Sequence, residues 1–304
     1  MYPLATKAVI CGLFGFSRQA WYDSQKRHSR YQMQEVFVLK QAKVLRQEHK
    51  RMGGEKLLLL LRPTLEEHDI KCGRDKFLNL LSEHGLLVRR RRSKPRTTDS
   101  NHFYRKYTNL IKDIELSSSG RLWVSDITYI RTLKGFVYLS LITDAYSKKI
   151  VGWCLWPSLS SEGALNALKM AISAEGIKTG LIHHSDRGIQ YCCNDYVNYL
   201  KGSSINISMT ENGDPYENAI AERVNGILKD EYDLSETFSD SQTALEAVKT
   251  AIYKYNNKRP HRSLDMMFPV DAHRHTGVLK KHWKNRKYAL KNEPGLSKED
   301  VNIN

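Results

Sequence analysis

ENGDPYENAIAERVNGILK, residues 211–229, begins with turn residues and continues as an amphipathic helix. Positions three, four and seven residues apart share one face of a helix, so Glu222, Asn225 and Lys229 are expected on the same surface. The apolar residues of the segment suit packing on a sheet: Ile220, Val224, Ile227 and Leu228. An acidic and a basic side chain therefore share one face, and Gly226 between them leaves room for a large molecule.

Two further stretches place acidic residues in or after strands. RLWVSDITYIR, residues 121–131, alternates apolar and β-branched residues and predicts a strand in which Asp126 replaces an expected Val or Ile. In GLIHHSDRGIQY, residues 180–191, a short apolar run leads to Asp186. A carboxylate in or at the end of a buried strand is costly unless it is paired.

A divalent metal ion is a natural partner for such carboxylates. Mg²⁺ prefers a few carboxylate oxygens and keeps its remaining positions for water and phosphate. Two such ions about 3.5–4 Å apart can activate an attacking oxygen and stabilise a leaving oxygen in phosphoryl transfer.

The motifs WVSDITYI, HSDRGIQY and GDPYENAIAERVNGILK, in this order, resemble the catalytic core of DDE transposases and retroviral integrases. In detail, residues 1–275 resemble the second-frame (OrfB-type) product of a large group of bacterial insertion sequences. The resemblance implies that Asp126, Asp186 and Glu222 are catalytic and hold two Mg²⁺ ions, for which Mn²⁺ can substitute. The 35 residues between Asp186 and Glu222 match the typical spacing of the family.

Two other positions bear on this resemblance. Lys229 matches the basic residue by which the family contacts transposon-end DNA. Glu217 stands where the family more often has Asp, a departure that leaves the three carboxylates intact.

The predicted fold class is α/β: a ribonuclease H-like core with a mixed five-stranded sheet and helices, preceded by an α-helical DNA-binding helix-turn-helix region. The resemblance implies this helix-turn-helix region, whereas the residues alone leave a plain helical bundle open. The core is predicted in the order β-β-β-α-β-α-β-α, with its first and fourth strands side by side. This order brings Asp126 and Asp186 together, and the last helix delivers Glu222 opposite them. We interpret Asp144 as a turn residue rather than a fourth acid of the site. His183 and His184, next to Asp186, are interpreted as structural.

We predict five segments: an N-terminal basic helix (1–30), a helix-turn-helix-like DNA-binding domain (31–92), a basic linker (93–114), the integrase catalytic core (115–235), and a C-terminal helix with a basic tail (236–304). In the first two segments, one helix is predicted from Ser17 and others over 31–50, 55–61 and 73–84. Pro63 is expected to end the third of these helices.

The charge is distributed unevenly along the chain, whose net charge is +15. Residues 1–112 carry 24 Lys and Arg against 10 Asp and Glu, a net +14, whereas 113–235 carry a net −4 and 236–304 a net +5. Basic segments around an acidic centre are typical of a metal-dependent nuclease with DNA-binding arms. Besides Lys229 and Asn225, DNA contacts are predicted for Arg74, Lys76, Arg89, Arg90, Arg91, Arg92, Lys94, Arg96, Arg259 and Arg262.

The five cysteines form no Cys-x-x-Cys pair, so we expect reduced thiols and no zinc site. No apolar run approaches the ~18–20 residues needed to span a membrane. A signal peptide is not indicated either, because the apolar start has no clear cleavage pattern. We therefore expect a cytoplasmic, nucleoid-associated protein without a membrane partner.

The expected partners are transposon-end DNA and target DNA. Because two ends must meet, a homodimer or higher oligomer in a synaptic complex is expected. In the family that the chain resembles, the second-frame product often acts as a fusion with a first-frame (OrfA-type) protein, and dependence on such a partner is left open. Two alternatives to a transposase also stay open: a ribonuclease H-like nuclease that only hydrolyses, and a catalytically inactive DNA-binding regulator of transposition.

Overall fold

The computed structural model of the protein describes residues 6–88, 103–112, 114–211 and 218–279. In chain order the elements are α1 Lys7–Leu13, α2 Arg18–Glu48, α3 Gly54–Glu67, α4 Arg74–Glu83, β1 Leu122–Thr132, β2 Gly135–Asp144, β3 Ile150–Trp156, α5 Ser161–Glu175, β4 Ile182–Ser185, α6 Ile189–Cys192, α7 Asn194–Gly202, β5 Asn206–Met209, α8 Ala219–Glu231, β6 Thr237–Phe238, α9 Ser241–Lys258, a 3₁₀ turn Arg262–Leu264, and α10 Pro269–Arg274.

Helix α2 is a single helix of 31 residues. The hydroxyl of Ser17 caps it by accepting a hydrogen bond from the backbone N–H of Ala20 at 3.0 Å. Two separate helices were predicted here, but Arg18–Glu48 contains no Gly or Pro, so nothing in the backbone interrupts the helix. The predicted boundary at residue 30 falls inside α2.

Helix α3 passes through Pro63 and ends at Glu67, so the predicted stop at Pro63 is wrong. An interior proline costs about 3 kcal/mol. The side chains of Leu61 and Leu65, on either side of it, are both buried in the cluster formed by α2, α3 and α4. Burying two leucines contributes roughly 1.5–3 kcal/mol each, which offsets that cost.

The central strand of the sheet is β1. The strand order is β3-β2-β1-β4-β5, with β1, β2 and β3 antiparallel and with β4 parallel to both β1 and β5. The predicted adjacency of the first and fourth strands is therefore confirmed. A short sixth strand, β6, was not predicted and pairs with the far end of β1.

Helices cover both faces of the sheet. Helices α5, α6 and α7 contribute to one apolar cluster that includes Trp123 of β1, and α8 and α9 contribute to a second that includes Ile130 of the same strand. Opposite faces of β1 thus enter different cores, as the two-residue period of a strand requires. This order and layering are the predicted ribonuclease H-like fold.

Gly152 on β3 allows α5 to approach the sheet closely. A Cβ atom at this position would lie 2.2 Å from the backbone oxygen of Ala167 and 2.7 Å from the Cβ of Ala171. Only glycine fits this contact.

The amino-terminal helices dock against α8 and α9. Glu48 at the end of α2 forms an ion pair with Lys258 at 3.1 Å, and Lys50 forms one with Asp233 at 2.5 Å. The predicted helix over 241–256 is confirmed as α9, which packs in the same core as α8. Among the described ranges, no helix is both long and apolar enough to span a membrane.

Candidate active site

Asp126 lies in the middle of β1, half-buried, with both carboxylate oxygens bonded. Its Oδ1 accepts the backbone N–H of Ile127 at 2.9 Å, and its Oδ2 accepts the side-chain amide of Asn225 at 2.7 Å. The second bond comes from α8, so helix and strand together fix the orientation of this carboxylate.

Asp186 is the first residue after β4. The parallel register pairs Val124 with His184, and two further residues along each strand bring Asp126 level with Asp186. Oδ1 of Asp186 accepts the backbone N–H of Gly188 at 3.0 Å. A Cβ at Gly188 would lie 3.0 Å from that same oxygen, so glycine leaves room for the turn.

Burial and neighbouring acids raise the pKa of both aspartates. Burial, and next the charge of Asp186, raises the pKa of Asp126 to about 7, against the opposing hydrogen bonds from Asn225 and Ile127. Burial also raises the pKa of Asp186, while the Gly188 hydrogen bond opposes it. Glu222 raises the pKa of both carboxyl groups. Negative charge therefore accumulates between β1, β4 and α8.

Glu222 lies in the first turn of α8 with an exposed side chain. Its position is set by Asn218, whose side-chain amide donates to the backbone oxygen of Ser125 at 3.0 Å and whose own backbone oxygen accepts from the N–H of Glu222. Within the described part of the chain, no three His, Cys, Asp or Glu side chains lie close enough to form a metal site. Glu222 thus lies on the helix that contacts Asp126 through Asn225, but the described residues do not bring its side chain and the two aspartates into a closed ligand group. Residues 212–217, which precede Asn218, lie outside the described ranges.

The side chains around Asp126 offer oxygen ligands of the kind that Mg²⁺ prefers. Besides the carboxylates, the amide oxygens of Asn218 and Asn225 are buried and have no hydrogen-bond partner among the residues described. Asn218 immediately precedes α8 and Asn225 lies within it, and both hold β1 through their amide nitrogens. Asn218 was missed in the sequence, although a polar residue at a helix start is a recognisable signal.

Asn225 is not available to DNA as predicted. Only 6% of the residue is exposed, and its amide is occupied by Asp126. The helical spacing puts Asn225 on the same face of α8 as Glu222, and at Asn225 that face packs on β1.

Buried polar side chains of β1 and β4 lie near Asp126 and Asp186 in the sequence and bond to one another. The Nε2 atom of His183 lies 2.7 Å from Ser125 Oγ and 2.9 Å from the hydroxyl oxygen of Tyr196. Burial, and next His184, lowers the pKa of His183 to about 3, so this imidazole is neutral at physiological pH. Asp144, interpreted as a turn residue, is fully buried and accepts the backbone N–H groups of Gly120 and Ser147.

Lys229 lies on α8 two turns beyond Glu222. Its ammonium nitrogen is 4.2 Å from the ring centroid of Tyr129 on β1. Lys229 therefore lies beside the exposed end of β1, on the helix that also carries Glu222.

Arg259 does not face DNA as predicted. Its side chain is 1% exposed, and its guanidinium donates to both carboxylate oxygens of Glu231, at 2.8 and 2.6 Å. Glu231, in the last turn of α8, is itself largely buried, so its charge needs a cationic partner. Arg259 is that partner, and its guanidinium is therefore not available to DNA. Lys56 lies near the same pair, and burial lowers the pKa of its amine to about 7.

The other predicted DNA contacts divide into two groups. Arg74, Lys76 and Arg262 lie on the surface, the first two in ion pairs with Glu55 and Glu35. Those that lie outside the described residues are Arg89, Arg90, Arg91, Arg92, Lys94 and Arg96.

The sheet order and the helix layers on its two faces define the class of the protein as an integrase-type core. The Integrase core domain family matches residues 117–215, and a second form of that domain matches residues 203–269. An insertion element IS600 31 kDa protein of Shigella sonnei is 32% identical over 86% of this chain and 96% of its own. The transposase for insertion sequence element IS629 of the same organism is 30% identical over 89% and 90%.

The chain therefore belongs to the family of bacterial insertion-sequence transposases with an integrase core, and it is a DNA transposase. Among solved structures, the catalytic core domain of HTLV-2 integrase in complex with magnesium is 18% identical to it. That likeness covers 51% of this chain and 97% of the viral one, with a TM-score of 0.41.

Proposed function

We propose that Asp126, Asp186 and Glu222 are the catalytic residues of this transposase and that they hold two Mg²⁺ ions, replaceable by Mn²⁺. The observation that carries the proposal is the pKa of Asp126, raised to about 7 by burial and by the two other acids. Such an accumulation of negative charge is unfavourable by itself and favourable around divalent cations. The bound ions supply Lewis-acid activation of the attacking oxygen and charge stabilisation of the leaving oxygen.

The protein groups around the acids hold them in place. Asn225 and the N–H of Ile127 orient the two oxygens of Asp126, and the N–H of Gly188 orients Asp186. Asn218 ties the start of α8 to β1, which keeps Glu222 near both aspartates. Preorganised carboxylates need no rearrangement during the reaction, which is where such a site gains most of its rate.

The proposed reaction has two phosphoryl-transfer steps. A water oxygen bonds to phosphorus at the transposon end, the bond from phosphorus to the 3′ oxygen breaks, and that oxygen leaves as a 3′-hydroxyl. This hydroxyl then attacks a second phosphodiester in the same way, which joins the strands. Neither step requires a covalent bond to the protein.

Regions outside the core would bind the rest of the DNA. Helix α4 is the proposed recognition helix, with Arg74 and Lys76 on its surface, and the basic run Arg89–Arg92 with Lys94 and Arg96 follows it. Arg262 would contact DNA beside the core. Since two transposon ends and a target must meet, we propose a dimer or higher oligomer in the cytoplasm, associated with the nucleoid, with or without a first-frame protein.

The test is cleavage and joining of a labelled duplex that carries the terminal sequence of the insertion element encoding this chain, with Mg²⁺ present. Glu222→Gln keeps the side-chain shape and removes one charge. The matched control is Glu162→Gln on α5, an exposed acid on the opposite helical layer. We expect wild type and control to form cleaved and joined products and Glu222→Gln to form neither. Equal products from Glu222→Gln would refute the assignment, and cleavage without joining would indicate a hydrolytic nuclease.

A further inference from the structure

Four side chains form an aromatic and cationic surface, here called the Tyr129 patch, at the end of β1 beyond the acids. Its members are Tyr129, Arg131, Phe136 and Lys229. The antiparallel register pairs Tyr129 with Tyr138 and Arg131 with Phe136, so the first three members of the patch share one face of the sheet. Lys229 joins them from α8.

The patch is ordered by contacts among its members. The Tyr129 and Phe136 rings meet edge to face, with centroids 5.3 Å apart and planes at 81°. Lys229 Nζ lies 4.2 Å from the Tyr129 centroid, and the Arg131 guanidinium carbon lies 5.7 Å from that of Phe136. Each aromatic ring therefore already has a cation beside it.

Both rings remain open to a ligand. Tyr129 is 43% exposed and Phe136 is 47% exposed. Cross-strand aromatic pairs also occur as simple sheet stabilisers, worth a fraction of a kcal/mol each. A stabilising pair alone would not require two flanking cations, whereas rings combined with Lys and Arg are the elements that bind single-stranded nucleic acid.

The position of the patch relative to the acids limits its ligand. Tyr129 is three residues beyond Asp126 on the same strand, about 10 Å along it at the usual rise per residue, and this odd spacing puts the two side chains on opposite faces of β1. Lys229 connects the two faces, because it lies on α8, the helix that contacts Asp126, and its ammonium reaches the Tyr129 ring. A DNA strand with a phosphate at the carboxylates reaches the patch by passing beside Lys229. The patch carries positive charge beside the acidic residues. A surface that receives the negatively charged DNA strand needs such charge.

We propose that the Tyr129 patch stacks an unpaired base of the DNA strand whose phosphate lies at the three acids. This inference rests on the proposed function. On binding, the base takes the ring face over which Lys229 now lies, and the ammonium moves to a neighbouring phosphate, a stronger electrostatic partner. Tyr129 is thus a binding residue that keeps the strand end open, and the interaction does not depend on the base, because every base has an aromatic face.

The test compares two probes with Ca²⁺ in place of Mg²⁺, because Ca²⁺ also binds carboxylate oxygens but lacks the strict octahedral geometry of Mg²⁺, so that the phosphate is held without cleavage. The probes are a blunt duplex of arbitrary sequence and the same duplex with three unpaired thymidines at one 3′ end. Fluorescence anisotropy gives the ratio of their dissociation constants. Contacts of the duplex with other basic regions are common to both probes and cancel in this ratio. The variants are Tyr129→Ala, Tyr129→Phe and, as a matched control, Tyr253→Ala, which removes an exposed tyrosine of α9.

For the wild type, Tyr129→Phe and Tyr253→Ala, we expect the tailed probe to bind roughly ten-fold more tightly than the blunt duplex. This factor corresponds to the contribution of one base stacked on one aromatic ring. For Tyr129→Ala we expect a ratio near one with unchanged binding of the blunt duplex. A wild-type ratio of one, or an unchanged ratio in Tyr129→Ala, overturns the proposal.

A second measurement locates the base. With 5-iodouracil in the tail, ultraviolet cross-linking to the wild type is expected in the tryptic peptide containing Tyr129 or Phe136, and cross-links confined to other peptides overturn the proposal. Both readouts are independent of catalysis. A protein that keeps the tail preference but cleaves no DNA contradicts the proposed function alone, and one that cleaves without the preference contradicts the patch alone.

Discussion

The side-chain amide of Asn225 donates to Oδ2 of Asp126 at 2.7 Å, which joins α8 to the middle of β1. Glu222 lies one turn earlier on the same helix. The helix that carries one acid therefore orients another, and any displacement of α8 acts on both. This coupling explains why a buried amide stands on the face that also carries Glu222 and Lys229.

Replacing Asn225 by Ala is expected to weaken catalysis by raising the pKa of Asp126 further. The Asn225 hydrogen bond lowers this pKa, and a hydrogen bond to a charged group is worth about 1.5–3 kcal/mol. Its loss corresponds to roughly one to two pKa units. In a pH–rate profile of DNA cleavage, we expect the acidic limb to move to higher pH and the maximum rate to fall about ten-fold or more.

The matched control is Asn257→Ala on α9, where the amide donates to the backbone oxygen of Tyr253 in the same helix. This variant should keep the wild-type profile. A lower rate for Asn225→Ala at every pH, without movement of the acidic limb, would show that Asn225 has only a structural role.

The metal-free protein is expected to lose stability as pH rises from about 4 to 7 because of Asp126. Its pKa of about 7 in the folded chain exceeds the ordinary value of 3.8, so between these values the folded state binds more protons than the unfolded state. The free energy of unfolding then falls with rising pH, by no more than about 4 kcal/mol for this group. Added Mg²⁺ should remove most of the loss, since it favours the ionised carboxylate.

Other buried groups change stability in the opposite direction over part of this range. Burial lowers the pKa of His183 to about 3 and that of His49 to about 4, and such groups favour the folded state as pH rises. The contribution of Asp126 is therefore isolated by subtraction. At each pH, the free energy of unfolding of Asp126→Asn, measured by urea denaturation, is subtracted from that of the wild type. A difference independent of pH would contradict the raised pKa.

The strand, strand end and helix that carry the three proposed catalytic acids could be predicted from the sequence because their signals are local. Asp126 interrupts an alternating strand, Asp186 ends an apolar run, and Glu222 lies in an amphipathic helix, so topology alone brings them to one region. Asn225 and Arg259 were misjudged, since their roles depend on burial against β1 and on the charge of Glu231. Nothing in a local pattern distinguishes a cation that faces DNA from one that neutralises a buried acid.

The residues at which the helices begin and end also depend partly on local sequence and partly on tertiary packing. Local composition predicted that α3 ends at Pro63. The helix continues to Glu67 because the burial of Leu61 and Leu65 offsets the cost of the interior proline. The cap at Ser17 is a local feature and was predicted correctly. Strand β6 has only two residues, too few to give a recognisable pattern.

Arg259→Ala is expected to destabilise the fold rather than to weaken DNA binding directly. It leaves Glu231 buried without its principal partner, and breaking a buried pair in this way costs about 3–5 kcal/mol. The loss should appear in the free energy of unfolding from urea denaturation. Arg262→Ala, at an exposed position three residues away, should keep the stability and reduce DNA affinity at low salt. Unchanged stability of Arg259→Ala combined with weaker DNA binding would restore the original prediction for Arg259.

Gly226 tests whether a large ligand crosses the face of α8 between Glu222 and Lys229. A Cβ at Gly226 meets no atom within 4 Å among the described residues, so Gly226→Ala should stabilise the helix by roughly 0.5–1 kcal/mol and leave cleavage near wild type. Gly226→Leu should fold equally well but place a branched side chain where the DNA strand must lie, and a displacement of about 1 Å at such a site costs about a hundred-fold in rate.

Gly202→Leu, at the end of α7, provides the comparison because a Cβ there also meets open space, on the opposite helical layer. Denaturation and cleavage are measured on all three variants. If Gly226→Leu cleaves DNA as fast as Gly202→Leu, the strand does not cross this face of α8. In that event Lys229 reaches the DNA from the edge of β1 rather than across the helix.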